Sequence, residues 1–258
     1  MKKISLFNGD CEDLFGKIED NSVDLIITDP PYGVEYSKGF DDSLEYVKNN
    51  VSFWLEQMYR VLKDGCHCYI FIPTKEIGLW LYEIEKVFNL NNVLSVRSHS
   101  SAVYCNNNFQ FNNQLVVYCS KGKAKKFNEF DFFYTSEDWL NDKRNKNPKL
   151  YTYSYPSFIS NVFANTNTDP LDDKISLYTF KHPCSKNVEL LNLFVGISSN
   201  KGDVVFDPFA GGGSTGVAAT EMGRSFIGFE KNTEYFDYLK EKFGNFSAWH
   251  SDYKYEIA

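Results

Sequence analysis

Residues 203–230 limit the folds open to this chain more than any other stretch. Asp203-Val204-Val205-Phe206 is short, apolar and β-branched, and reads as a strand. It runs straight into Asp207-Pro208-Phe209-Ala210-Gly211-Gly212-Gly213-Ser214-Thr215-Gly216. A helix follows over 215–222, then a second strand over 225–229 that ends at Glu230. Strand, glycine turn, helix and strand in such quick succession require a parallel pair with a right-handed crossover, and so a sheet covered by helices. Gly211 and Gly213 allow positive φ and let a ligand come close to the backbone. The helix start beyond them offers free N–H groups to an anion, with Ser214 and Thr215 adding hydroxyls. Gly211, Gly213 and Gly216 also satisfy G-x-G-x-x-G, so a dinucleotide competes for this turn, and a ligand-free tight turn is the plain alternative. Glu230 lies 17 residues beyond Gly213, where a carboxylate can accept from both hydroxyls of a ribose.

The rest of the chain agrees with an α/β sheet. Strands are expected at 4–7, 23–28, 69–72, 93–97 and 114–119. Helices are expected at 43–63, from the spacing of Leu44, Val47, Val51, Trp54, Leu55, Met58, Val61 and Leu62, and at 75–88, 188–197 and 233–243. Gly65 reads as the left-handed cap of the first long helix. The expected fold class is a doubly wound, Rossmann-like α/β sheet. From 121 to about 180 periodicity is lost in a segment rich in Lys, Asn, Tyr and Phe. Residues 1–120 and 181–258 are therefore expected to form one domain, with 121–180 as an insertion. That middle stretch is also the only basic part: residues 121–186 hold 11 Lys and Arg against 8 Asp and Glu, in a chain of net charge −7. An acidic whole argues against nonspecific coating of nucleic acid.

No apolar run is long enough to span a bilayer and no signal-like stretch follows Met1-Lys2-Lys3, so a cytoplasmic chain without membrane association is expected. Six cysteines occur without any C-x-x-C pair. Cys66-His67-Cys68 opens an apolar run with no second ligand pair at zinc spacing, so no metal is expected.

The second informative stretch is Thr28-Asp29-Pro30-Pro31-Tyr32-Gly33, directly after the strand at 23–28. Two prolines stiffen the loop and remove two donors, and Asp29 is pushed extended by the proline after it. The loop presents a carboxylate, unpaired carbonyls and a ring, although Asp, Pro and Gly also favour plain turns. The amino group of adenine is a poor nucleophile because its lone pair is delocalised into the ring. The Asp29 carboxylate and the Pro30 carbonyl form an acceptor pair for its two hydrogens, which localises that lone pair for attack on a sulfonium methyl. Tyr32 offers a stacking face, and a base in a duplex must first be flipped out.

At this point the chain resembles the amino-methylating DNA methyltransferases of the β arrangement, in which the catalytic motif precedes the cofactor motif. The resemblance rests on three blocks: 8–33, 181–216 and 223–236. It implies S-adenosylmethionine as cofactor and a flipped base in DNA, double-stranded by expectation, as substrate. Asp29, Pro30, Pro31 and Tyr32 then form the catalytic loop, with Asp29 also bordering the cofactor. Asp207, Phe209, Gly211, Gly213, Ser214 and Thr215 correspond to the F-x-G-x-G cofactor loop, Glu230 to the ribose acid and Asp10 to an acid near the cofactor's adenine. His182, Pro183 and Lys186 correspond to an H-P-x-x-K block whose helix borders the cofactor. The segment 121–180 stands where the target-recognition region lies. The chain departs from the family pattern at Cys184, Ser185 and Asn187, at Asn113-Gln114 in place of His-Glu, and at Ser95-Val96-Arg97 in place of Trp-x-Lys.

Asp before Pro-Pro-Tyr points to adenine N6 ahead of cytosine N4. A noncatalytic nucleic-acid-binding partner of the same fold is the other alternative. A nicotinamide or flavin oxidoreductase would leave Asp29 to Tyr32 unused, and a protein-glutamine methylator would carry Asn at position 29. The recognition sequence, any restriction partner and homodimerisation stay open.

Overall fold

The computed structural model of the 258-residue chain describes residues 1–33, 43–97, 113–128, 158–159 and 185–257. In chain order its elements are β1 (Lys2–Asn8), α1 (Cys11–Leu14), β2 (Val23–Thr28), α2 (Leu44–Val61), β3 (Leu62–Ile72), α3 (Ile77–Val87), β4 (Asn89–Arg97) and β5 (Asn113–Ser120). There follow β6 (Phe158–Ile159), α4 (Val188–Ser198), β7 (Val204–Asp207), α5 (Ser214–Glu221), β8 (Ser225–Glu230), α6 (Thr233–Trp249) and β9 (Tyr253–Ile257). The strands make one sheet in the order β6-β4-β5-β3-β2-β7-β8-β1-β9. Pairing is parallel throughout, except that β5 runs antiparallel to both β3 and β4.

Two apolar clusters fill the two faces. On one, Leu25, Ile27, Tyr69, Phe71, Val205 and Phe226 meet α4, α5 and α6. On the other, Ile26, Cys68, Ile70, Val117 and Phe206 meet α1, α2 and α3. Strand alternation divides the residues: Leu25 and Ile27 point one way and Ile26 the other. α4 is buried nearly all round, which explains why its sequence is apolar without a polar stripe.

β2 and β7 lie side by side at the centre, with Leu25 opposite Val205 and Ile26 opposite Phe206. From β2 the chain crosses through α2 to β3 on one side; from β7 it crosses through α5 to β8 on the other, over the opposite face. The connections diverge between these two strands, which opens a crevice at their carboxyl ends.

Two expectations change. Gly65 does have positive φ, 75°, but it does not cap a helix. α2 ends at Val61, and Gly65 kinks β3 where the register with β2 shifts between Val23 and Leu25. Its N–H donates to the Lys121 carbonyl at 2.7 Å. The short helix α1 and the edge strand β9 fall outside the expected elements. Of the segment at 121–180, residues 121–128 run along the main body, where Asn128 N–H donates to Ile197 O at 2.7 Å, and Phe158–Ile159 extend the sheet beside β4. The remainder of that segment lies outside the described residues.

Cys66 and Cys68 face the α2–α3 side as buried thiols. His67 faces the other way, with Nδ1 2.8 Å from Ser198 Oγ and Nε2 3.0 Å from the Lys125 carbonyl. No group of three or more metal-ligating side chains occurs among the described residues. No helix among them is long and apolar enough to cross a membrane.

Candidate active site

The two loops singled out in the sequence leave neighbouring strands at the same edge of the sheet. Thr28, the last residue of β2, donates its hydroxyl to Asp207 Oδ1, at the end of β7, at 2.8 Å. Asp207 is 4% exposed, and its carboxylate also receives the Phe209 N–H at 3.1 Å and a hydrogen bond from Thr215. Burial pushes its pKa up to about 6 against the pull of these donors, and the nearby Asp29 charge adds to the rise. Asp207 therefore braces the loop from inside. The Phe209 ring packs edge-on against buried Trp54 of α2, with centroids 5.1 Å apart, so it anchors the loop to the opposite face.

At Gly213 the backbone has φ 81°, a left-handed conformation that other residues rarely adopt. A Cβ there would lie 2.5 Å from Leu239 Cδ2 of α6, so the position is closed sterically as well. α5 begins at the next residue, with Ser214 and Thr215 in its first turn, both buried. The N-terminal N–H groups of α5 thus open into the crevice edge beside Asp29.

Glu230 ends β8, next to β7. One carboxylate oxygen accepts the Gly211 N–H at 2.8 Å and the other the Asn232 N–H at 2.7 Å. Burial raises its pKa to about 7 despite these two donors, helped by the Asp207 charge. β1 lies next along the sheet, and its Gly9 N–H donates to the Glu230 carbonyl at 3.1 Å. Asp10 follows, caps α1 by accepting the Glu12 N–H at 3.1 Å, and pairs with Lys231 at 2.6 Å. Burial acts to raise the Asp10 carboxyl, but hydrogen bonds from Lys231 and Glu12 and the Lys231 charge prevail and hold it low.

On the other side of the crevice, Asp29 ion-pairs with Lys186 Nζ and accepts the Tyr32 hydroxyl on Oδ1. The Lys186 ammonium also lies 5.1 Å from the Phe71 ring centroid and 5.9 Å from that of Tyr32. Its backbone N–H reaches Ser214 Oγ at 3.3 Å. A single residue therefore touches the glycine loop with its main chain and the Asp-Pro-Pro-Tyr loop with its side chain. Asn187 caps α4 by accepting the Leu190 N–H at 3.2 Å, which fixes where Lys186 stands. His182 and Pro183 lie outside the described residues.

Three contributors escaped the sequence reading, and a fourth, Gln114, was noted there only as a departure from the family pattern. Thr28, Lys231 and Asn232 brace the three site acids Asp207, Asp10 and Glu230. Gln114, at the start of β5, donates to the Tyr32 hydroxyl at 3.3 Å. Only the antiparallel return of β5, which brings its first residues to the edge where β2 and β3 end, places Gln114 there.

A family model described as DNA methylase, for N6 and N4 methyltransferases, matches residues 23–241. The Type II methyltransferase M.BamHI of Bacillus amyloliquefaciens is 31% identical over 250 residues, which cover 87% of this chain and 54% of that protein. The DNA adenine methyltransferase YhdJ of Escherichia coli (strain K12) is 31% identical over 241 residues, 90% of this chain and 79% of that one. This chain spans about half the length of M.BamHI. Among solved structures, the M1.HpyAVI–SAM complex superposes with a TM-score of 0.64 at 22% identity, covering 92% of this chain and 98% of that one. The cytosine-N4-specific PvuII DNA methyltransferase superposes with a TM-score of 0.69 at 17% identity, covering 100% and 95%. These two likenesses are of fold alone. With its two loops on adjacent strands and its length matched from 23 to 241, the chain belongs to the N6/N4 DNA methylase family.

Proposed function

We propose that this protein transfers a methyl group from S-adenosylmethionine to the exocyclic amino group of a flipped base in DNA, with adenine N6 as the target. One observation carries the reading: Asp29 and the Gly211–Gly213 turn leave adjacent strands and are bridged by Lys186. The residues along the sheet edge also fit the cofactor in sequence. Asp10 borders the place for its adenine, Glu230 accepts from its ribose hydroxyls, and Gly211, Gly213, Ser214 and Thr215 receive its methionine end at the start of α5. When bound there, the cofactor supplies an activated methyl group on a sulfonium.

The chain's own residues prepare the acceptor. The Asp29 carboxylate and the Pro30 carbonyl accept hydrogen bonds from the two amino hydrogens and localise the nitrogen lone pair; one of those protons is lost to Asp29 or solvent once the nitrogen is methylated. Lys186 keeps the carboxylate aimed at the crevice, and Tyr32 provides a ring face for the base. In this structure the Tyr32 hydroxyl holds Asp29 Oδ1, so an incoming amino group takes over that position as the ring moves to stack. Adenine is favoured over cytosine because Asp stands before Pro-Pro-Tyr, and the relative YhdJ is named as an adenine enzyme. Residues 121–180 are assigned to target recognition on their position, with the modest positive balance of 121–186 in support.

The test is incubation with cofactor and mixed-sequence DNA followed by nucleoside mass spectrometry. N6-methyladenine is the expected product; N4-methylcytosine would correct the base, and no modified base would end the reading. Asp29→Ala should abolish the product while calorimetry still detects S-adenosylmethionine binding.

A further inference from the structure

Lys242 lies on the inward face of α6 and is 2% exposed. Its neighbours on that face are Phe236, Leu239, Phe243 and Phe246, all buried. A buried ammonium loses hydration that no single neutral acceptor replaces, and the loss lowers its pKa to about 6. The Tyr238 ring, 4.8 Å from Nζ, offsets only part of it. An unbranched apolar side chain would fill the same space without that penalty.

One of its hydrogen bonds shows what the amine does. Nζ donates to the Gly212 carbonyl at 3.0 Å. Gly212 is the middle residue of the turn. On one side the Gly211 N–H is held by Glu230 at 2.8 Å, and on the other the Gly213 N–H by the Ala210 carbonyl at 2.8 Å. Gly213 is pressed by the same helix, since a Cβ there would come within 2.5 Å of Leu239 and 3.1 Å of Phe243. α6 is thus the floor of the turn, and Lys242 draws the one carbonyl at its apex down into that floor. Glycine on both sides makes this peptide easy to flip. A flipped peptide would direct a carbonyl oxygen, the negative end of its dipole, toward the crevice where an anion is to bind.

We propose that Lys242 is a positioning residue for the cofactor: by holding the Gly212 carbonyl inward it keeps that oxygen from facing the carboxylate of S-adenosylmethionine at the start of α5. This inference rests on the reading that the turn receives the cofactor's methionine end.

The test uses the full chain with Lys242→Met, compared with the unmodified protein and with Glu230→Gln as a control for the cofactor site. Calorimetric titration with S-adenosylmethionine should show affinity up to about tenfold weaker for Lys242→Met, the loss expected for one hydrogen bond. KM for the cofactor should rise in step while kcat at saturating cofactor stays the same. The melting temperature without ligand should be equal or higher. Unchanged affinity overturns the proposal, whatever happens to the melting temperature. A variant that melts lower with unchanged affinity, or fails to fold, makes Lys242 a core residue and overturns it too. If Glu230→Gln binds the cofactor normally, the cofactor reading itself fails. If Glu230→Gln loses binding and Lys242→Met does not, only the role of Lys242 fails.

Discussion

Glu230 shows how a single carboxylate is set against the fold that carries it. Its ordinary pKa of 4.5 is raised to about 7, so the folded chain holds a proton there that the unfolded chain releases. The sign follows from linkage. Its contribution is complete below about pH 4.5 and is lost as pH rises through 7, because only the unfolded state gains from ionisation over that window. Glu230→Gln should therefore raise the ligand-free melting temperature at pH 8, with a gain of about 2 kcal/mol after discounting for solvent at a partly exposed group, and change it little at pH 4.5. Differential scanning calorimetry at the two pH values checks this; equal shifts at both would contradict it. Cofactor affinity of the unmodified protein should strengthen as pH rises through 7, when the carboxylate can accept from both ribose hydroxyls, and the Gln variant should bind weakly at every pH. Tyr32 divides differently. Its hydroxyl donates to Asp29, and its ring is the stacking face in the proposed reading. Tyr32→Ala should slow single-turnover transfer by the equivalent of about 1–3 kcal/mol, whereas Tyr32→Phe should leave it unchanged or faster. Equal losses in the two variants would rule out the stacking role.

Elements place these residues, and their boundaries matter where a cap does the placing. Asn187 begins α4 and immediately follows Lys186. Asn187→Ala should lower stability by about 1 kcal/mol, read as roughly 2–4 °C in a chain of this size. It should also slow methyl transfer more than it weakens cofactor binding, because Lys186 loses its fixed starting point while the glycine turn keeps its own bonds. A thermal melt beside titration and rate measurements separates the two effects. The element pattern was legible in the sequence where a β-branched run or a helical apolar stripe marked it: β2, buried on both faces, is found at the residues expected, and α2 lies within the expected 43–63. It was misread at Gly65, because positive φ serves a bulged strand as well as a helix end. The edge strand β9 alternates strictly, Tyr-Lys-Tyr-Glu-Ile, but it is only five residues long, and its pairing to β1 depends on a partner more than 200 residues away.

At the scale of the molecule, the sequence determined the chemistry on offer. Local rules governed it: prolines stiffen the turn at 29–32, glycines open the turn at 211–213, and short apolar runs make parallel strands between helices. Those rules act over a few residues, and they were enough to mark Asp29, Glu230 and the order of the two loops; Asp10 and Asp207 were singled out by the family resemblance. What they could not decide is which side chains meet. The side-by-side placement of β2 and β7 joins residues some 180 apart, as in the Thr28–Asp207 bond. The return of β5 puts Gln114 on Tyr32. The packing of α6 beneath the turn puts Lys242 on Gly212. A lysine at a buried helical position was visible as a break in the apolar face of 236, 239, 243 and 246, but its purpose was not. Contacts of this kind come from strand order and helix packing, which are settled by the burial of the whole sheet on both faces.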